Sequence, residues 1–242
     1  CRVAPLGSRG RNPLWNQQIH QTPAATTAPP HRARPDPGYG NITRRSTTAS
    51  SRYASMQVSL VRRFTGGFQI NTNYTLSKVV SDASADRGAT QQDIRNLAAE
   101  RAVTNYDRTH ILGLHYVWEL PFQRDAAGLR YNVLGGWEIS GSTRYATGVP
   151  LTIITATNSA NSFGGGNLRP DLVGDPVGPQ TVNQWFNTAA VGQPAVNQFG
   201  SSPNGVIRGP GTHVTDLGVF KNFKVSEQVR LQYRLELFNA FN

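Results

Sequence analysis

The sequence predicts an all-β fold of about six long antiparallel strands that run up and down, and three observations support it. Apolar and polar residues alternate along several stretches, as in a strand with one apolar and one polar face. These stretches approach the roughly 9–11 residues that a tilted strand needs to cross a bilayer. Short reversals alternate with long polar connections, as in barrels with short turns at one end and long loops at the other. We therefore expect a transmembrane β-barrel segment with long extracellular loops.

The first part of the chain lacks this alternation. Residues 1–52 are rich in Pro, Arg, Thr and Ser, and residues 22–38 contain prolines that remove backbone donors and fix φ. We expect residues 1–52 to be an extracellular loop or a disordered lead-in, and residues 53–242 to be the barrel segment.

The clearest strand signal is a hairpin over residues 53–78. Its arms, 53–64 and 68–78, alternate in polarity around the reversal Thr65-Gly66-Gly67, where glycine supplies the positive φ angles of a tight turn. The polar positions of the second arm are mostly Asn, Gln, Ser and Thr, which suits the wet interior of a large barrel. From this hairpin alone, a long hairpin in an ordinary β-domain fits equally well.

Four further alternating stretches follow. They lie at residues 110–120, 133–145, 215–222 and 229–237, separated by long connections at 79–106 and 147–212. The second half of the first connection could form a short helix. In the last stretch Arg and Glu alternate on one face, where basic residues beside lipid would cost roughly 2–4 kcal/mol each at the bilayer midplane. That face must therefore meet water, in the barrel lumen or in bulk solvent.

Composition excludes several classes of protein. No run of about 18 apolar residues exists, so a transmembrane helix is excluded. The single Cys allows no internal disulfide. The five His residues form no tight ligand pair, and no nucleophile–base constellation stands out. We expect no catalytic residues, no metal site and no cofactor. The net charge of +10 is scattered rather than clustered, which argues against nucleic acid as a partner.

Several motifs recur in an order that characterises one protein family. They are VRRFTGGFQINTNYTLSK (61–78), YDRTHIL (106–112), ELPF (119–122), LGGWEISGSTRYATGVPLTI (134–153), RPDLVGDP (169–176), WFNTAAV (185–191), RGPG (208–211) and DLGVFKNFKVSEQVRLQYRLELFNAFN (216–242). Each motif alone is modest, but their order is fairly specific. Together they resemble the late barrel of TonB-dependent outer-membrane receptors, most closely the Oar-like group.

The resemblance implies a location and a role. Such receptors sit in the outer membrane of Gram-negative bacteria and import scarce ligands such as siderophores, cobalamin or carbohydrates. They contain a plug that draws energy through TonB, and a barrel of about twenty-two strands. Their plug, TonB box and final strand are absent from this sequence, so the resemblance implies an incomplete barrel. The expected partners are therefore outer-membrane lipid, the missing plug and remaining barrel of the same receptor, TonB through that plug, and a small ligand.

Two groups of residues are candidates for contacting the ligand. Trp185, Phe186 and Phe163 in the long loops could stack on a sugar or an aromatic ligand, although a loop packed on its own aromatics is the favoured interpretation. The other group would line the lumen and could guide an anionic substrate, or simply balance Glu138 and Glu236 across the strands. Its members are Arg144, Arg230 and Arg234.

Two rival functions come from other classes. A soluble, secreted β-domain acting as a binding or adhesion module would remain soluble without detergent and would have polar outer faces. A basic nucleic-acid-binding protein would carry a clustered basic patch and bind more weakly as salt increases. The apolar row of the first hairpin counts against the first rival, and the scattered charge counts against the second.

Overall fold

A computed structural model describes most of the barrel segment and short parts of the lead-in. The described residues are 2–10, 18–19, 43–44, 49–83, 91–93, 96–123, 128–156, 160, 168–226 and 228–241. Phe163 and residues 22–38, about which the sequence makes predictions, lie outside these ranges.

The described chain is dominated by one antiparallel sheet, which confirms the predicted fold class. Its strands are β1 Arg2–Gly10, β4 Ser51–Thr65, β5 Phe68–Ser81, β6 Ala102–Val103, β7 His110–Glu119, β8 Trp137–Ala146, β13 Thr212–Lys224 and β14 Arg230–Leu237. They follow the order β1, β4, β5, β7, β8, β13, β14, and the short β6 pairs with β5. Strands that neighbour in this sheet therefore also follow one another along the chain, as in an up-and-down arrangement.

The predicted hairpin forms from β4 and β5. Its register runs from Ser51 opposite Ser81 to Thr65 opposite Phe68, with a bulge between Arg62 and Thr65. Gly66 and Gly67 form the turn with φ of 63° and 83°, the pair of positive angles that favours glycine in a two-residue reversal. The four further alternating stretches correspond to β7, β8, β13 and β14 with shifted ends.

The structure differs from the sequence-based prediction in two details. Residues 1–52, predicted to be a loop or a disordered lead-in, also contain a long strand, since β1 pairs with β4 from Arg2 opposite Ser59 to Gly10 opposite Ser51. Val133 is predicted to begin a strand, but it lies in the short helix α2, Gly128–Leu134, and β8 starts only at Trp137. The short helix expected in the first long connection is α1, Leu97–Glu100.

The connections have unequal lengths at the two ends of the sheet. Short ones, 66–67, 120–136 and 225–229, lie at one end, called here the turn end. Long ones, 82–109 and 147–211, lie at the loop end. The long connections contain the minor strands β9 Pro150–Leu151, β10 Asp171–Leu172, β11 Val191–Gly192 and β12 Ile207–Arg208, and the lead-in contains β2 Gln18–Ile19 and β3 Thr43–Arg44. No helix in the described ranges is long and apolar enough to cross a membrane.

The register separates the two faces of the sheet, because residues directly opposite in an antiparallel pair point the same way. One face is polar in every central strand, since His115 stands opposite both Asn71 and Ser142, and Ser142 opposite Asp216. This polar face continues across the sheet with Gln69, Asn73, Ser140, Arg144, Gln232, Arg234 and Glu236.

The opposite face, called here the outer face, is apolar along the middle of the strands. Leu114 lies opposite Thr72 and Thr143 on this face. The same face also contains Leu112, Ile139, Val219, Leu231 and Leu235. From β4 to β14, Lys and Arg residues on this face of the sheet stand only near strand ends: Arg52 and Lys78 at the loop end, Arg62 and Lys221 at the turn end. A soluble β-domain would need a polar surface here, so this face argues against that rival.

Candidate functional site

The largest fully buried side chains of the described chain lie at the loop end. The two long connections pack on one another there, and their described parts, within residues 82–109 and 147–211, are called here the loop body. Its fully buried residues include one large aliphatic side chain, Leu168, and the polar residues Glu100, Thr104 and Asp107. A core of this composition depends on polar groups that satisfy one another, since a buried charge without a partner is costly.

The first of these polar contacts is the ion pair between Glu100 and Arg169. Arg169 Nη1 donates to Glu100 Oε2 over 2.7 Å, and Nη2 donates to Oε1 over 3.0 Å. The side chain of Glu100 is only 1% exposed and that of Arg169 only 4%. This bidentate geometry is the strong form of an arginine–carboxylate ion pair. Because the partners are 69 residues apart, the pair joins one long connection to the other.

Neighbouring groups form hydrogen bonds with the remaining polar atoms of Glu100 and Arg169. Arg169 Nε donates to Ser202 O over 2.6 Å, and Asn204 Nδ2 donates to Glu100 Oε2 over 3.2 Å. Gln92 accepts from Arg169 N over 2.6 Å and donates to Gly200 O over 2.8 Å. The carboxylate of Glu100 also accepts from the backbone N–H of Gln92 over 3.2 Å. Each added partner compensates the lost hydration of a buried charge.

A second ion pair, between Asp107 and Arg208, stands where the loop body meets the sheet. Asp107 is fully buried, and its Oδ2 accepts from Arg208 Nη2 over 2.5 Å. Its Oδ1 accepts from the backbone N–H of Val79 in β5 over 2.7 Å. Arg208 Nη1 also donates to Gly148 O over 3.1 Å. Asp107 therefore ties the end of β5 to both long connections.

Close backbone packing accompanies this second pair. A Cβ atom added at Gly148 would collide with the backbone of Gly209 and Pro210, so the chain beyond β8 can lie against the RGPG segment only with glycine at this position. The short strands β9 and β12 pair immediately beside this contact. The two ion pairs and this packing make the loop body one folded unit at the top of β5, β7, β8 and β13.

The aromatic ligand candidates are placed as follows. Trp185 is half-buried and its Nε1 donates to Arg208 O over 2.5 Å. Phe186 is half-buried and forms an isolated bridge with Val177. Phe163 is outside the described residues. The indole of Trp185 thus contacts the backbone carbonyl of Arg208, a member of the second ion pair. The one hydrogen-bond donor of this side chain is therefore already used within the loop body.

The three arginine candidates lie on the polar face, as expected, but not together. Arg144 lies near the loop end of β8, whereas Arg234 and Arg230 lie opposite Phe220 and Lys224 near the turn end. Six residues along β13 separate the rows of Arg144 and Arg234, which is roughly 20 Å along a strand. The guanidinium of Arg234 lies 5.8 Å from the ring centroid of Phe220. A single anion site containing Arg144 and Arg234 therefore does not form.

Between these rows the polar face forms a shallow groove. Asn71, His115, Ser142, Asp216 and Phe220 line it. Further lining residues are Gln69, Ser140, Glu236 and Phe238. This mixture of carboxylates, amides, hydroxyls and aromatic rings can hydrogen-bond and stack on a polar ligand. Within the described part of the chain, no group of three His, Cys, Asp or Glu residues could hold a metal ion.

The residues of the two ion pairs are not among the sequence-based candidates, although the sequence carries a signal for them. Asp107 belongs to YDRTHIL, Arg169 opens RPDLVGDP, and Arg208 opens RGPG. Ion pairs between the two long connections require charged residues in the loops, and each of these three motifs contains one. The family resemblance of these motifs does not by itself reveal that their charged residues form ion pairs.

We expect Asp107→Asn to loosen the junction between the sheet and the loop body. Asparagine can still accept from Val79 N–H, but it cannot match the charge of Arg208. Hydrogen bonds to charged groups contribute about 1.5–3 kcal/mol, so the local opening free energy should fall by about that amount. Hydrogen exchange of the Val79 and Thr104 amides measures it. Asp171→Asn, at a half-buried position in the same loop body, is the control, and equal exchange in both variants would refute this role for Asp107.

The family model described as "Outer membrane beta barrel domain" matches residues 1–242. No curated protein and no solved structure matches the chain.

Proposed function

Since the chain belongs to the family of outer membrane β-barrel domains and so is a protein of the Gram-negative outer membrane, we propose that it forms part of a TonB-dependent receptor. In this proposal the chain supplies barrel wall and extracellular loops for the uptake of a scarce ligand, such as a siderophore, cobalamin or a carbohydrate. It performs no catalytic step. The outer face of the sheet meets lipid, and the polar face meets the water-filled lumen.

The folded loop body is the observation that carries the proposal. A receptor that captures a dilute ligand benefits from loops held in one arrangement before binding, because less entropy is then lost on association. The Glu100–Arg169 and Asp107–Arg208 pairs hold the two long connections together at the loop end of the sheet. Three of these four residues lie in the motifs that resemble the TonB-dependent family.

The polar groove below the loop body supports the same function. It lies on the lumen side, along the route that a ligand would follow from the loops toward the turn end. Its hydroxyl, amide and carboxylate groups offer many weak contacts rather than one deep pocket. Such a surface allows a polar ligand to pass without being held tightly.

The sheet also implies further barrel strands. In the described chain it ends at β1 on one side and β14 on the other. A sheet edge exposed to lipid would leave backbone donors and acceptors unpaired, which the bilayer interior does not tolerate. We therefore propose that these edges pair with the rest of the receptor barrel. A plug inside that barrel would face the groove and connect it to TonB.

Uptake by whole cells tests this proposal. A strain lacking the gene is compared with its parent for uptake of cyanocobalamin, an iron-loaded hydroxamate siderophore and a maltodextrin, each supplied at limiting concentration. The proposal predicts loss of uptake of one of them, and the same loss in a parent strain lacking TonB. Uptake lost without the gene but retained without TonB would overturn the TonB-dependent part. Normal uptake of all three by the deletion strain would count against a receptor for these ligand classes.

A further inference from the structure

The turn between β7 and β8 has an exposed apolar surface that the uptake function does not use. Helix α2 turns Tyr131 and Asn132 toward the protein, where Asn132 exchanges hydrogen bonds of 2.9 and 3.0 Å with the backbone of Lys224. Lys224 Nζ lies 4.1 Å from the ring centroid of Tyr131. The remaining arc of the helix points away, and there Leu129, Val133 and Leu134 are 80%, 58% and 53% exposed.

This apolar arc continues into the outer face of the sheet. Leu134 lines a shallow cleft of about 470 Å³ together with Leu120, Phe122, Gln123 and Trp137. Trp137 belongs to the outer face, beside Ile139, and Trp118 stands opposite Ile139 on the next strand. The surface that meets lipid along the strands therefore extends without interruption onto the helix.

The position of Lys221 places the membrane boundary at the level of α2. It lies on the outer face, yet it is only 4% exposed, and its Nζ donates to the carbonyl of Gly135 just beyond α2. The ammonium also lies 5.0 and 5.3 Å from the ring centroids of Trp137 and Phe223. A lysine on a lipid-facing surface is tolerated where its charge can reach the interface, and tryptophan gathers at the same level. Because Lys221 reaches the carboxyl end of α2, the helix lies at that level too.

We propose that α2 is an interfacial anchor, with Leu129, Val133 and Leu134 immersed in the headgroup region of the periplasmic leaflet rather than in periplasmic water. The occupant of the apolar cleft is then the lipid itself. The proposal rests on the continuity of this surface with the lipid-facing wall. Leu129, Val133 and Leu134 cover the arc on one side of the helix, and Arg130 among them is exposed, as suits a helix that meets phospholipid headgroups.

Depth-dependent fluorescence quenching tests this anchor. Single cysteines replace Leu129 and Val133 in a Cys1→Ser background, and a bimane label is attached to the full-length protein in vesicles of phosphatidylethanolamine and phosphatidylglycerol. Two exposed positions serve as references for the same label. Leu235 on the outer face is the reference for lipid, and Val182 in the loop body is the reference for water. The quenchers are aqueous iodide and a phospholipid with a nitroxide near its headgroup.

The anchor predicts that labels at residues 129 and 133 lose about half or more of the iodide quenching seen at residue 182, since interfacial helices bury their apolar face about 5–10 Å deep. The nitroxide lipid should quench both labels as it quenches residue 235. Iodide quenching equal to that at residue 182, without nitroxide quenching, would place α2 in water and overturn the proposal. Shielding from both quenchers would indicate a protein partner and would overturn it as well.

Discussion

In the Arg169→Ala variant, we expect the loop body to open while the strands below it remain folded. The substitution leaves Glu100, a 1% exposed carboxylate, without its charge partner. Breaking a buried ion pair by removing one member typically costs about 3–5 kcal/mol. Since each 1.4 kcal/mol is a tenfold change, local opening should become about two to four orders of magnitude more frequent.

Hydrogen exchange of the loop-body amides measures this opening directly. The amides of Gln92 and Asp93, which donate to Glu100, and of Ser202, which donates to Pro170, should exchange faster in the variant. Amides in the middle of β5 and β7 should exchange at the parent rate.

Arg144→Ala is the matched control, because it removes an exposed arginine from the polar face. It should leave exchange in the loop body unchanged. In the double variant Glu100→Gln, Arg169→Met, no buried charge remains, so the loss should be smaller than the sum of the single effects. Unchanged loop-body exchange in Arg169→Ala would show that the ion pair does not hold the two connections together.

We expect Leu114→Arg to destabilise the protein in the bilayer by about 2–4 kcal/mol, the cost of a basic residue facing lipid near the midplane. Leu114 is the fifth residue of the ten in β7, and it lies on the outer face opposite Thr72 and Thr143. Urea-induced unfolding from vesicles reports the change as a lower midpoint.

His115→Arg provides the control one residue further along the same strand. His115 is exposed on the polar face, opposite Asn71 and Ser142, where an arginine keeps its hydration. We expect its effect to stay within about 0.5 kcal/mol, as for ordinary surface substitutions. Equal destabilisation by the two arginines would contradict the assignment of lipid and lumen faces.

The strands can be predicted from the sequence because their signal is local. Alternation of polarity along β5, β7 and β14 determines which residues share a face, and Gly66-Gly67 determines the first turn. The same alternation assigns Arg144, Arg230 and Arg234 to the water-facing side. It cannot say how far apart they stand, because that distance depends on the register between strands.

The loop body cannot be predicted in this way because its contacts are distant in sequence. Asp107 and Arg208 are 101 residues apart, and no periodicity links them. Long connections rich in Gly, Pro and Asn give no expectation of a packed unit. The charged residues within the loop motifs mark three of the four positions that pair, Asp107, Arg169 and Arg208.

The two local differences from the prediction also have physical reasons. β1 contains Pro5, Gly7 and Gly10, and these residues weaken the polarity alternation by which a strand is predicted. Helix α2 is only seven residues long, and Val133 stands close enough to β8 to extend its apolar alternation. A short helix of this kind takes its stability from Lys224 and β13 rather than from its own residues.

Accessibility along β7 in the native outer membrane tests most directly whether this sheet is a membrane wall with one lipid face and one water face. Spin labels are placed one at a time at residues 110–119, and their collisions with oxygen and with a water-soluble nickel complex are compared. We expect a period of two, in which residues 112, 114, 116 and 118 favour oxygen and residues 113, 115 and 117 favour nickel. Uniform access to nickel along the whole strand would show that neither face of this sheet meets lipid, and would contradict its assignment as a barrel wall.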